Sequence, residues 1–536
     1  MSQLAYADPI LTCEEAAQFE RSFFKSQQHV WTVMQMAGCQ LAEHIAQDCQ
    51  ELGTPLSDLN GIVLVGKGHN GGDALLACAK LVELAPELGW VMCMSHRPEQ
   101  MRPNTRRALE YVQARLPNAE FYYISESNDF LARLEYLLSK PRQWLCIDGF
   151  VGFNFRPPLS RDLVEVIQMV NASRQIVLRA AVDLPTGLSS SPVADAPVFK
   201  ADFVYATGIV KKPLFDGSGR WGRVRYLDLG FFDHMQAEPS QNSFVLNARA
   251  LEGMRRLRPT LCDKRSFGHL LIVAGSRQMP GAMILCVQAA IRSGVGRVTV
   301  LAPQSLLPQV ALAAPEAMWL AGAETARGQL SGRALDLLQE QNGCFTACVC
   351  GPGMGSGSDT LELVKGLVQQ SALPLLLDAD ALQPEIIPAL KLRSLAKGSA
   401  TVILTPHLGE YRRLLQSDAL DSSAEKLHQF SKKTGCVTVL KSAQTCFSNG
   451  EQLVYSPFGG PVLARGGSGD LLAGLIAGNL AQPGSDSLAA LACGLALHGR
   501  AADDLAMAKG AHCVAISELL AFLRPKSSAK SQYSAL

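Results

Sequence analysis

A chain of 536 residues exceeds what one hydrophobic core supports, because single cores stop growing at roughly 250–300 residues, so two or three domains are expected. Hydrophobic residues make up 48% and charged residues 18%, which excludes a disordered or fibrous chain. Lys and Arg number 49 against 48 Asp and Glu, and a net charge of +1 supplies no field to hold nucleic acid.

The first residues, MSQLAYADPILTCEEAAQFE, lack a basic region followed by an apolar stretch, and no apolar run reaches the roughly 18 residues of a membrane span. A cytoplasmic protein with no membrane partner is expected. The 15 cysteines are scattered and odd in number, so reduced, buried thiols are expected rather than a disulfide framework. Cys344, Cys348 and Cys350 cluster, but FTACVC reads as a buried strand and nothing nearby completes four zinc ligands.

Along the chain, apolar runs rich in Val, Ile and Leu alternate with helical patterns: IVLVG, WLCIDG, IVLRAAVD and FVYATG, then LLIVAG, VTVLAP, CVCGPG, LPLLLDAD, TVILTPH and VTVLKS. This pattern predicts parallel sheets covered by helices, an α/β fold of two three-layer αβα domains. The turn-rich stretch DHMQAEPSQNS, residues 233–243, is placed as the linker, giving domains 1–236 and 245–536.

In the first half, IVLVGKGHNGGDALLACAKL reads as strand, loop and helix, with Gly66, Gly68, Gly71 and Gly72 in the loop and Asp73 at the helix start. Lys67 precedes the glycines rather than a Ser or Thr, so this is not a Walker loop. A phosphate contact and a plain structural turn both suit it. Asp148 and Asp183 end two strands of the same sheet. Asn70, Asp148 and Thr186 can converge as oxygen ligands for a hard cation, with Asp183 beside them as acid or base; separate capping of turns and helices is the alternative.

In the second half, Gly275, Ser276, Pro280 and Gly281 form a loop before a helix opened by Ala282, and GPGMGSG at 351–357 is a second flexible turn. LPLLLDADAL supplies Asp378 and Asp380, suited to magnesium, substrate hydroxyls or helix capping. TVILTPHLGEYRRLL sets His407 and Glu410 beyond a strand, where the His either reaches a ligand or joins a capping arrangement at the surface. VTVLKSAQTCF places Lys441 and Thr445 where an ammonium and a hydroxyl can meet phosphate or ribose. In ARGGSGDLLAGLIAG, Gly466, Gly467, Ser468 and Gly469 lead into Asp470. Backbone N–H groups at a helix N-terminus stabilise a phosphate in flight while the carboxylate takes a proton; the alternative is an Asp that only caps its helix.

AGSRQMPGA, GPGMG, LDADAL, LTPHLGE, LKSAQT and GGSGD, in this order, resemble the ribokinase-like superfamily and, within it, the nucleotide-dependent NAD(P)H-hydrate dehydratases. The resemblance implies a ribokinase-like domain that phosphorylates the hydroxyl of hydrated NADH or NADPH with ADP or ATP and then eliminates phosphate. It implies Asp470 as the base, with Ala282, Gly355 and His407 lining the hydrate site. Lys441, Ser442, Ala443, Gln444, Thr445 and Gly469 would hold the nucleotide, together with Mg2+. Arg465 and Ser442 depart from the family pattern, which commonly has a small hydroxyl residue and a Gly there. GHNGGD, CIDGFVG, VDLPTGL and ATGIVKKPLF resemble the NAD(P)H-hydrate epimerases, implying a Rossmann-like domain. The implied hydrate contacts are His69, Asn70, Gly71, Gly72, Asp73, Gly152, Phe153, Asn154, Phe155 and Asp183, with K+ on Asn70, Asp148 and Thr186. His69, Ala74 and the GFNF turn at 152–155 depart from that family, and Phe153 and Asn154 would narrow the ribose-phosphate pocket. Together the resemblances imply a bifunctional, homo-oligomeric repair enzyme, with ADP the phosphate donor as in fused two-domain members. The alternative is a vitamin kinase of the same superfamily joined to a non-catalytic N-terminal nucleotide-binding domain.

Overall fold

A computed structural model describes residues 4–124, 128–190, 196–216, 221–233, 242–340, 344–396, 398–417 and 424–525. The alternating runs of the sequence become two sheets. One has seven parallel strands in the order Glu120–Tyr123, Trp90–Met94, Asn60–Val65, Trp144–Gly149, Ile176–Val182, Phe203–Thr207 and Arg223–Leu227. Its chain order reverses between Asn60–Val65 and Trp144–Gly149, the doubly wound pattern that opens a crevice at the carboxyl ends of those strands. Ile62, Val63, Leu64 and Val65 are all fully buried, as expected of a parallel strand covered on both faces.

The second sheet has twelve strands. Seven are parallel, in the order Met318–Gly322, Arg297–Pro303, His269–Val273, Ala347–Cys350, Leu375–Leu377, Val402–Leu404 and Val437–Leu440. Here the order reverses between His269–Val273 and Ala347–Cys350. Antiparallel strands Cys446–Ser448 and Leu453–Tyr455 follow. The helices Pro280–Arg292 and Ser468–Leu480 pack closely on one face. Their contact is set by Gly474, where a Cβ would lie 2.1 Å from the carbonyl oxygen of Cys286.

The chain's first strand joins the two halves. Ala7–Leu11 pairs antiparallel with Ser243–Leu246, which itself lies beside Leu453–Tyr455, and on its other side with Val210–Lys211. Main-chain pairing therefore runs from the C-terminal half into the segment that connects the last two strands of the seven-stranded sheet. Of the expected linker, residues 234–241 lie outside the described residues. A buried ionic cluster also crosses the halves: Arg225 bonds Asp48 at 2.7 Å and Asp503 at 3.0 Å, and Tyr205 donates to Asp48 at 2.9 Å.

All 15 cysteines are free thiols; Cys348 and Cys350 lie buried in their strand, while Cys344 is exposed. Among the described residues no cluster of three or more His, Cys, Asp or Glu is set to bind a metal, and no helix is long and apolar enough to cross a membrane.

Candidate active sites

Each site forms where a sheet reverses its order. In the N-terminal half the helix starts earlier than the sequence suggests, at His69, so His69, Asn70, Gly71, Gly72 and Asp73 form its first turns rather than a loop. Gly71 permits this, since a Cβ there would lie 2.1 Å from the Gly66 carbonyl oxygen. The early start leaves the helix capped by Gly68 with no side-chain bond, so Asp73 is not its cap.

Asp148 and Thr186 come together as the strand ends require. The fully buried Asp148 carboxylate accepts from the Thr186 hydroxyl at 2.7 Å, the Thr186 N–H at 2.8 Å and the Phe150 N–H at 3.3 Å. Burial pushes its pKa up to about 6, against the pull of those bonds. Asn70 adjoins the next turn, its side chain about 3.4 Å from where a Gly152 Cβ would sit, and its Nδ2 is buried without a partner. The 152–155 turn is closed by the Phe155 N–H donating to the Gly152 carbonyl at 3.1 Å. Asn154, within this turn, is exposed.

Asp183 is 4% exposed and adopts φ +66°, a left-handed backbone conformation uncommon outside glycine and strained for a side chain. Its carboxylate is ion-paired with Lys211 and lies 3.4 Å from the Thr207 hydroxyl. Around it stand Asp73, whose pKa is pushed well up by burial and then by Asp183 and Glu20, and Glu20 itself, raised to about 7 chiefly by burial. Burial and the charge of Arg102 lower His69 to about 4, which leaves it neutral at physiological pH. Lys211 and Glu20 were not singled out from sequence. Lys211 lies inside the quoted ATGIVKKPLF segment, so a signal was present, whereas Glu20 sits in an unremarked helix, Cys13–Phe23.

In the C-terminal half, Pro280 and Gly281 belong to the helix rather than the loop, with Ala282 in its first turn. A Cβ on Gly353 would lie 3.0 Å from that of Ala282, so the second glycine turn closes over this helix end. The Gly355 N–H donates to Asp380 at 2.8 Å. Asp378, 1% exposed, accepts from Lys441 Nζ at 2.7 Å and from the Thr405 hydroxyl at 2.8 Å. Thr405 escaped the sequence reading because a buried strand-end Thr has no local signal. His407 forms a bridge with Lys441 and caps the helix Leu408–Leu415: its Nδ1 accepts from Gly409 and Glu410, and Glu410 accepts from the His407 N–H at 2.8 Å. The capping arrangement is thus present, with the ring exposed and its Nε2 3.3 Å from the Glu410 carboxylate.

The helix Ser468–Leu480 is capped by Gly467 at φ +92°, so Asp470, its third residue, is not the cap. A Cβ on Gly469 would lie 3.1 Å from Lys441 Nζ and 3.9 Å from an Asp378 oxygen, which gathers lysine, carboxylate and helix N-terminus at one point. Burial first, then Asp378, raises the Asp470 pKa to about 6, with Lys441 opposing. Burial tends to lower Lys441, but Asp378 and Glu410 outweigh it and leave it raised, hence charged. The 441–445 loop is held by its own bonds, Ser442 Oγ donating to the Gln444 carbonyl at 2.9 Å and Thr445 Oγ1 to the Ser442 carbonyl at 3.1 Å; Ala443 at its tip is exposed. The departure at Arg465 has a structural use: its guanidinium turns away and donates to the carbonyls of Ala511 and His512 at 2.6 and 2.7 Å.

These two constellations coincide with two family matches. Residues 31–213 match the model of the YjeF-related protein N-terminus, and residues 270–524 match that of NAD(P)H-hydrate dehydratase. The bifunctional NAD(P)H-hydrate repair enzyme Nnr of Gloeobacter violaceus is 34% identical over 483 residues, 87% of this chain and 88% of that protein. The chain belongs to the bifunctional NAD(P)H-hydrate repair enzyme family. The family member from Moorella thermoacetica is 31% identical across 92% of this chain and 91% of its own length. The ADP-dependent (S)-NAD(P)H-hydrate dehydratase of Xanthomonas campestris is 37% identical over 250 residues, 46% of this chain and 82% of that protein. Full-length likeness across both halves favours repair over a vitamin kinase joined to an inert N-terminal domain.

Proposed function

We propose that the chain epimerises the R and S hydrates of NADH and NADPH in its N-terminal half and dehydrates the S form in its C-terminal half at the expense of ADP. The observation that carries the dehydratase reading is the convergence of Asp470, Lys441 and the Ser468–Leu480 helix N-terminus. With a pKa near 6, Asp470 is mostly ionised at neutral pH and accepts the hydrate's hydroxyl proton as that oxygen attacks the terminal phosphorus of the nucleotide. AMP departs when ADP is the donor. The free N–H groups of the helix turn, with Lys441, face the charge building on the transferred phosphate. Phosphate then leaves together with a proton from the neighbouring ring carbon, which restores the double bond of the reduced nicotinamide.

The 441–445 loop, opposite the helix end, is the nucleotide platform in this reading, and Ala282, Gly355 and His407 line the hydrate side. Asp378 and Asp380 offer the oxygen donors that a magnesium–diphosphate complex requires. The N-terminal donor set fits potassium. Asp148 is a fully buried carboxylate bonded only to neutral donors, Thr186 adds a hydroxyl, and Asn70 can add its amide oxygen. The bound ion would supply the missing positive charge and fix the turn that receives the hydrate.

The test supplies purified full-length protein with an R and S mixture of NADH hydrate, ADP, Mg2+ and K+, and follows NADH to completion. Recovery beyond the S fraction, faster than spontaneous epimerisation, supports both activities. Recovery that stops at the S fraction removes the epimerase half, and a lasting phosphorylated product removes the dehydratase half.

A further inference from the structure

Lys211 is 1% exposed, and its ammonium pairs with the Asp183 carboxylate. It also stands 4.9 Å from the ring centroid of Phe153, so the side chain touches both the strained aspartate and the 152–155 turn. A buried ion pair is poor evidence of stability, since well-packed apolar side chains of similar volume usually serve the fold as well or better. The placement therefore needs another reason.

The two partners also come from different sheets. Asp183 follows Ile176–Val182 of the seven-stranded sheet, whereas Lys211 ends the two-residue strand that pairs with Ile10 and Leu11 at the edge of the twelve-stranded sheet. The residues just after Lys211 are held by the C-terminal half: the Leu214 carbonyl accepts from the Gln444 side chain at 2.9 Å, and Phe215 stacks on Tyr455 with ring centroids 4.0 Å apart.

We propose that Lys211 is a positioning residue of the N-terminal reaction, holding the Asp183 carboxylate by its ion pair and aiming it at the hydrate bound over the 152–155 turn, and that the C-terminal sheet sets its position. Within electrostatic reach of Asp183 also stand Asp73 on the His69–Leu84 helix and Glu20 and Cys13 on the Cys13–Phe23 helix, none of which supplies a positive charge. Without the ammonium, the buried carboxylate loses the ion pair that fixes its aim at the hydrate.

This rests on the epimerase reading, and the full-length protein separates the two. Dehydration of purified S hydrate with ADP and Mg2+ reports folding and the C-terminal site, while conversion of purified R hydrate reports the N-terminal site. Lys211→Met is expected to slow R-hydrate conversion by at least about 100-fold, with S-hydrate dehydration within about twofold of the parent. The loss is expected in kcat, with KM for the R hydrate within about threefold of the parent, a split that a packing defect alone would not produce. Adding Lys211→Met to Asp183→Asn is expected to cost nothing further, because the lysine acts through the aspartate. Should the Met variant fail to fold, Lys211→Gln, which keeps a donor toward Asp183 without the charge, carries the same expectation. Parent-like epimerisation in both variants overturns the proposal alone. A parent protein that never converts the R hydrate overturns the epimerase reading and the proposal with it.

Discussion

Replacing Asp470 with Asn should exchange activity for stability. The carboxyl pKa stands at about 6 rather than 3.8 because burial and Asp378 disfavour its charge more than Lys441 favours it. For a raised carboxyl the folded state binds the proton more tightly than the unfolded chain, so stability falls as pH rises from about 4 to about 6 and the deficit persists at pH 7. At roughly 1.4 kcal/mol per pH unit the rise corresponds to about 3 kcal/mol, which solvent access at the mouth of the site reduces to about 1–2 kcal/mol. Asp470→Asn removes that deficit and should raise the neutral-pH denaturant midpoint accordingly, while dehydration of the S hydrate falls at least about 100-fold. In the parent, kcat should decline about tenfold between pH 7 and pH 5 as the carboxylate is protonated. Chemical denaturation and NADH formation at 340 nm measure the two effects. An Asn variant with near-parent turnover, or one clearly less stable than the parent at pH 7, would refute the reasoning.

Other perturbations follow from the packing and the ion sites. Gly474→Ala forces a methyl against the Cys286 carbonyl and should lower stability by about 2–4 kcal/mol, read as a fall in the thermal midpoint. Arg225→Ala leaves Asp48 and Asp503 buried without their cation and should cost about 3–5 kcal/mol by denaturant unfolding; an unchanged midpoint would mean the cluster does not tie the halves together. Thr186→Val removes a donor from Asp148 and an oxygen from the potassium set, so R-hydrate conversion should drop and lose its dependence on K+ over Na+, with dehydration untouched. Thr405→Val frees Asp378 of one bond and is expected to reduce S-hydrate turnover by about five- to tenfold with little change in stability.

The sequence by itself determined the layered architecture and where to look for chemistry. Strands buried on both faces must be continuous apolar runs, and ligands gather at their carboxyl ends, so Asp148, Asp183, Asp378 and Lys441 were legible as candidates, while the glycine run at a helix start marked Asp470. Helix starts were less so: Gly68 and Gly467 cap their helices without side chains, so nothing local marks His69 or Ser468 as the first helical residue. His407 showed its capping box in the order His, Leu, Gly, Glu, and the fold makes that box while bridging the His407 backbone to that of Lys441. Only the tertiary structure decided that Lys211 meets Asp183, that Thr405 holds Asp378, and that the first strand of the chain stitches the two halves. These contacts join residues 28, 27 and more than 200 positions apart. A two-residue strand such as Val210–Lys211 has no periodicity to read. Its place is fixed by the sheet edge that receives it, a property of the assembled fold rather than of any local stretch of sequence.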